Sequence, residues 1–183
     1  MKKLLVLALL VGLATAAWGG ELAGVTMPDA VEVGDQSLVL NGMGLRKKAI
    51  IKVYVAGLFL TEKTNDAAAI LAADTARRTA MEFRFGVSAD KMCDAWKEGL
   101  EKNTADPSDE LKAKFDTLCG YQADMEKGEM MVYTYVPGEG TAVEIKGEAK
   151  GTIEGKDFAD ALFSCWIGPE PPGAAFKKGL LGL

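Results

Sequence analysis

Apolar residues recur along this chain with two periods, and the places where one gives way to the other mark its elements. Past residue 20, "GVTMPDAVEVGDQSLVLNG" reads as short extended pieces. Pro28 and Gly34-Asp35 punctuate them, and Asn41-Gly42 is a turn signal. Residues 50–61 form a long strand, with Ile51, Val53, Val55 and Phe59 on one face and Tyr54, Ala56, Leu58 and Leu60 on the other. Both faces are apolar, so the strand is expected to be covered on both sides. Asn65 caps a short helix through "DAAAILAAD". "RRTAMEFRF" returns to period two as a half-buried strand, with Met81, Phe83 and Phe85 on the apolar face and Glu82 and Arg84 opposite.

The period then lengthens. Ser88 opens the helix "SADKMCDAWKEGLEKN", where Met92, Trp96 and Leu100 stand at i, i+4 and i+8 with Cys93 beside them. A second helix runs over 107–118 on the stripe Leu111, Phe115 and Leu118, and a link near 103–106 makes the two a helical hairpin. "EMMVYTYVPGEGTAVEIKG" is a β-hairpin and "EAKGTIEG" a further short strand. "KDFADALFSCWIG" is a helix with Phe158, Leu162, Cys165 and Trp166 inward, closed by Gly168 and stopped by Pro169. The tail "AAFKKGLLGL" adds a last apolar turn. This order predicts an α+β domain: a large antiparallel sheet with helices packed on one face and the other face partly open.

The first residues follow neither period. Lys2 and Lys3 precede an apolar run over 4–13, and Ala14-Thr15-Ala16 and Ala17-Trp18-Gly19 offer small residues for cleavage. The segment reads as a signal peptide over 1–19, ahead of one domain over 20–183. The protein is then expected to be exported, periplasmic in a Gram-negative cell, with no stable membrane span.

Charge and composition narrow the chemistry. Without Lys2 and Lys3 the chain carries 19 cations against 26 carboxylates, which argues against a nucleic-acid partner. There is no histidine, so histidine-activated nucleophiles and histidine-based metal sites are excluded, and no metal or cofactor is expected. Cys93, Cys119 and Cys165 permit three single pairings, and export permits oxidation. Cys93 lies early in one predicted helix and Cys119 at the end of the next, which favours their bridge; three packed, reduced thiols are the competing arrangement. Arg46, Lys47 and Lys48 stand directly before the apolar strand, either as a solvated turn or with one cation turned inward.

"GLRKKAIIKVYVAGLFL", "VSADKMCDAWKEGL", "YTYVPGEGT" and "GTIEGKDFADALFSCWIGPEPP", with "KKGLLG" after it, together resemble the bacterial chalcone isomerase-like family over about 21–183. The resemblance implies an open-faced β-sandwich with a ligand cleft between sheet and helices. Two functions are found on that fold: closure of a chalcone by an intramolecular lyase, and non-catalytic binding of fatty acids, whose carboxylate an arginine and a tyrosine hold. The shared arginine matches Arg46. The enzyme's threonine falls at about Tyr54, its tyrosine and asparagine at about Ser88 and Ala95, and a nearby lysine at Lys91. Two of the enzyme's polar partners are therefore replaced. The expectation is a monomeric binder or carrier of fatty acids or similar amphiphilic carboxylates, with Arg46, Tyr54 and Lys91 as ligand-binding residues. The alternative is an isomerase acting on an enone-like molecule, with Arg46 as its catalytic residue.

One geometric condition attaches to that site. Along one unbroken strand the eight residues from Arg46 to Tyr54 would span about 26 Å. The two can serve one carboxylate only if the chain turns within 47–49, where there is neither glycine nor proline.

Overall fold

The computed structural model describes residues 18–183. Of the signal-like segment over 1–19, residues 1–17 lie outside the described residues, while Trp18 and Gly19 open the first strand.

Among the described residues nine strands and five helices follow in the order β1 (Trp18–Leu22), β2 (Val25–Pro28), β3 (Ala30–Val33), β4 (Gln36–Lys48), β5 (Ile51–Leu60), α1 (Ala67–Ala72), β6 (Arg77–Phe83), α2 (Ala89–Asn103), α3 (Asp109–Tyr121), β7 (Met130–Val136), β8 (Gly140–Ile145), β9 (Glu148–Ile153), α4 (Lys156–Ile167) and α5 (Ala174–Leu180). Strands β3 to β9 form one seven-stranded antiparallel sheet in chain order, and β1 and β2 form a separate ribbon. The fold is the α+β arrangement that the pattern predicts, with helices on one side of a large antiparallel sheet.

Strand β5 is the hinge of the packing. Tyr54, Ala56, Leu58 and Leu60 join the core beneath the helices, where Met81, Phe83 and Tyr133 of the sheet meet Trp96, Phe115, Phe158 and Trp166. Val55 and Phe59 point the other way, into a smaller core with Val25 and Met27 of the β1–β2 ribbon and Leu38 and Leu40 of β4. The ribbon thus covers part of the face expected to be partly open.

Helix caps follow local chemistry. Ser88 Oγ accepts from the Lys91 amide and Ser108 Oγ from the Leu111 amide. At α1 the cap is Asp66, not Asn65: Asp66 Oδ1 accepts from the Ala69 amide at 3.0 Å. Cys93 and Cys119 are joined by a disulfide, Cα atoms 4.9 Å apart, that fastens α2 to α3, and Cys165 is a buried free thiol.

Two readings near β4 are corrected. Asn41-Gly42 is not a turn, because β4 runs through it. The register against β5 shifts between Leu40 and Gly42, so Asn41 is the extra residue of a bulge. Its buried amide is engaged at both ends: Nδ2 donates to the Leu180 carbonyl and Oδ1 accepts from the Thr64 amide, each at 2.8 Å. Phe85 is not on the apolar face with Met81 and Phe83. Strand β6 ends at Phe83, and Phe85 is 51% exposed.

Candidate functional site

The chain does turn beyond Arg46. Strands β4 and β5 are joined through Ala49 and Ile50, with Ala49 at φ 53° in the left-handed region although it is not glycine. The register then sets Arg46 directly opposite Tyr54. Opposed residues of an antiparallel pair share a face, with Cβ atoms about 5 Å apart. A second register shift, between Arg46 and Lys47, leaves Val53 unpaired on β5. Val53 and Tyr54 consequently line the same side.

That side is the floor of a cleft of about 580 Å³ between the sheet and the helical layer, within the usual range of ligand sites, about 300–1,000 Å³. Its helical wall is one face of α2: Lys91, Ala95 and Gly99 along one row, Met92 and Trp96 along the next. Cys165 and Trp166 of α4 close the inner end, and Phe85 to Val87 form a lip. Gly99 is required for this wall, because a Cβ there would sit 2.7 Å from Cys165 Sγ and push α2 off α4. Of Met43, Met81, Met92, Met130 and Met131, only Met92 lines the cleft; Met81 and Met131 are filled core.

The polar groups are few. Arg46 is half-buried and makes no ion pair among the described residues; its Nη1 donates to the neighbouring Lys47 carbonyl. Tyr54 is 7% exposed, and its ring packs at 5.7 Å from Phe83 and from Phe176. Burial raises the Tyr54 phenol well above its ordinary pKa, against the opposing pull of the Arg46 guanidinium and the Trp166 indole. Tyr54 therefore keeps its proton at neutral pH and offers an O–H donor beside a permanent cation. Trp96 and Trp166, 5.3 Å apart and edge-on, hold buried indole N–H donors with no acceptor among the described residues. Across the mouth Glu98 is paired with Lys102, and Lys102 first, then Arg46 and Lys48, hold its carboxyl below the ordinary value.

The structure thus brings Arg46, Tyr54 and Lys91 to one cleft, with Lys91 exposed on its rim. Ser88 spends its hydroxyl on the α2 cap, and Ala95 faces the cleft without a polar group. Trp96 and Trp166, read from their helix stripes as core, are also cleft wall. The buried arginine that the sequence reading missed is Arg77, which is fully buried. It pairs with Asp160, donates to the Ile70 carbonyl at 2.8 Å, and lies over the Phe163 and Tyr135 rings. A signal was present: Met81 and Phe83 face the core, and parity along the strand places residue 77 with them. Among the described residues no cluster of three metal-ligating side chains occurs.

The family model described as chalcone isomerase-like matches residues 19–182. The crystal structure of a fatty-acid binding protein from Arabidopsis thaliana superposes with a TM-score of 0.68 at 20% identity, over 86% of this chain and 92% of that one. Likeness at that identity is likeness of fold. A search of curated proteins finds no match.

Proposed function

Because the chain belongs to the chalcone isomerase-like family, we propose that it is a non-catalytic binder and carrier of fatty acids or similar amphiphilic carboxylates. The observation that carries this reading is the pair at the mouth: an arginine with no carboxylate partner among the described residues, set cross-strand from a protonated tyrosine, above an aromatic and apolar floor. A guanidinium binds a carboxylate through two parallel hydrogen bonds, and the phenol adds a third donor. The acyl chain would lie against Met92, Trp96 and Val53. Lys2, Lys3 and the apolar run after them support export, to the periplasm in a Gram-negative cell.

Native mass spectrometry of the purified chain tests the ligand. Incubation with palmitate or oleate is expected to add one ligand mass, and R46A to weaken binding roughly 10- to 100-fold, the worth of a hydrogen bond to a charged group. An unchanged apo mass at ligand excess would sink the proposal. Cell fractionation tests export, and recovery of the intact chain from the cytoplasm alone would refute it.

The same pair favours a second reading, because Arg46 and a protonated Tyr54 would also stabilise negative charge developing on an enone oxygen. Turnover of chalcones that R46A abolishes would replace the carrier reading by an isomerase.

A further inference from the structure

The β4–β5 turn carries an exposed apolar tip inside a set of cations. Ile50 is 95% exposed, Ile51 41% and Phe85 51%. The Arg84 amide donates to the Val53 carbonyl at 2.8 Å, which brings Phe85 to the same end of the sheet as Lys52 and Ile51. Ile51 and Phe85 also line the cleft, so the tip is the outer edge of its mouth.

Charge along the β4–β5 hairpin runs against the rest of the molecule. The whole chain is net −5, yet between Asp35 and Glu62 it holds no carboxylate and four cations: Arg46, Lys47, Lys48 and Lys52. Lys47, Lys48 and Lys52 are exposed and make no ion pair among the described residues. Asp94, Glu98 and Glu170 lie on the cleft's other rim, Glu98 already paired with Lys102.

From this juxtaposition we propose that the tip Ile50, Ile51 and Phe85 docks on an anionic lipid surface. The apolar side chains enter the headgroup boundary and Lys47, Lys48 and Lys52 sit among the phosphates. Neither half suffices alone, because a few apolar side chains bind weakly and anionic headgroups add a roughly fivefold gain in partitioning per basic residue near the surface. Docked in this way, the cleft mouth opens onto the bilayer. Docking itself does not rest on the carrier reading: Arg46 is left intact in every variant below, and palmitate binding is scored separately.

The test uses the full chain with I50C carrying an environment-sensitive nitrobenzoxadiazole label, and E139C at the opposite end of the sheet as control. Cys165 is 4% exposed and does not compete for label in the folded chain. With vesicles of phosphatidylcholine and phosphatidylglycerol, the label at position 50 is expected to brighten and shift to the blue, and the label at 139 to stay unchanged. Vesicles of phosphatidylcholine alone should give little response at either position. K47E/K48E/K52E should weaken the position-50 response at least about 100-fold in lipid concentration, and I51S/F85S about tenfold, both keeping a cooperative thermal transition. An unresponsive label at 50, equal responses at 50 and 139, equal responses to the two vesicles, or either variant responding as the parent would overturn the proposal. So would a concentration-dependent doubling of mass without lipid that I50S/I51S/F85S abolishes, since the patch would then belong to a second copy of the chain.

Discussion

Arg77 of β6 and Arg46 of β4 flank β5 from its two sides, Arg77 paired in register with Leu60 at one end and Arg46 with Tyr54 toward the other. Arg77 is shut off from solvent between two aromatic faces and beside a carboxylate; Arg46 has a cleft in front of it and no carboxylate partner among the described residues. Their substitutions are therefore expected to separate stability from binding. R77M strands Asp160, though that carboxylate is a third exposed and keeps Lys156 at 2.6 Å, so the loss is about 3 kcal/mol, at the low end for breaking a buried pair. R46A changes stability by no more than about 0.5 kcal/mol, as substitutions at partly exposed sites do, while ligand affinity falls. Urea denaturation of both variants checks this, and equal losses of stability would contradict the division.

At the scale of elements, the disulfide ties α2 to α3, and glycine contacts seat α2 on α4 and α5 on β4. The Cys93–Cys119 bridge spans 26 residues, and chain-entropy reasoning assigns a loop of that length roughly 3 kcal/mol. C93S/C119S should lower Tm by about 6–12 °C, read by calorimetry under non-reducing conditions. Helix α5 lies directly on β4: a Cβ at Gly44 would sit 2.5 Å from the Phe176 carbonyl oxygen. G44A should cost about 1–3 kcal/mol by overpacking, seen as a lowered urea midpoint. These elements also show what the sequence could carry. Helices α2, α3 and α4 were legible because their stripes repeat over three or four turns. The path between Arg46 and Tyr54 was not. Asn41-Gly42 has the composition of a turn, but its neighbours across space, Leu180 and Thr64, make it a bulge. The real turn uses Ala49 in a conformation its residue type disfavours, held by the pairing of Lys48 with Ile51. Both features are decided by strand pairing and tertiary contact, which local composition does not encode.

For the whole molecule, the absence of histidine leaves no side chain with an ordinary pKa between pH 6 and 8, so stability is expected to be flat across that window. Above it the buried acids titrate. Burial pushes the Cys165 thiol from 9.0 up to about 12. Burial, and then the Asp74 carboxylate that accepts its O–H at 2.6 Å, push the Tyr135 phenol from 10.0 up to about 12, and burial raises Tyr54 and Tyr133 in the same direction. For a raised pKa the stabilisation is complete below the unfolded value and is lost as pH climbs to the folded one. The urea midpoint should thus hold from pH 6 to 8, start to fall above 9 and drop fastest between 10 and 12, with Y135F flattening that last interval. The Asn41–Leu180 hydrogen bond has a consequence of a different kind, since it joins residues 139 positions apart. Strand β4 emerges from the ribosome long before α5, which covers it. Until residues 174–180 are made the nascent chain lacks this lock, and a chain stalled before residue 174 should stay open to protease where the chain that includes α5 is protected.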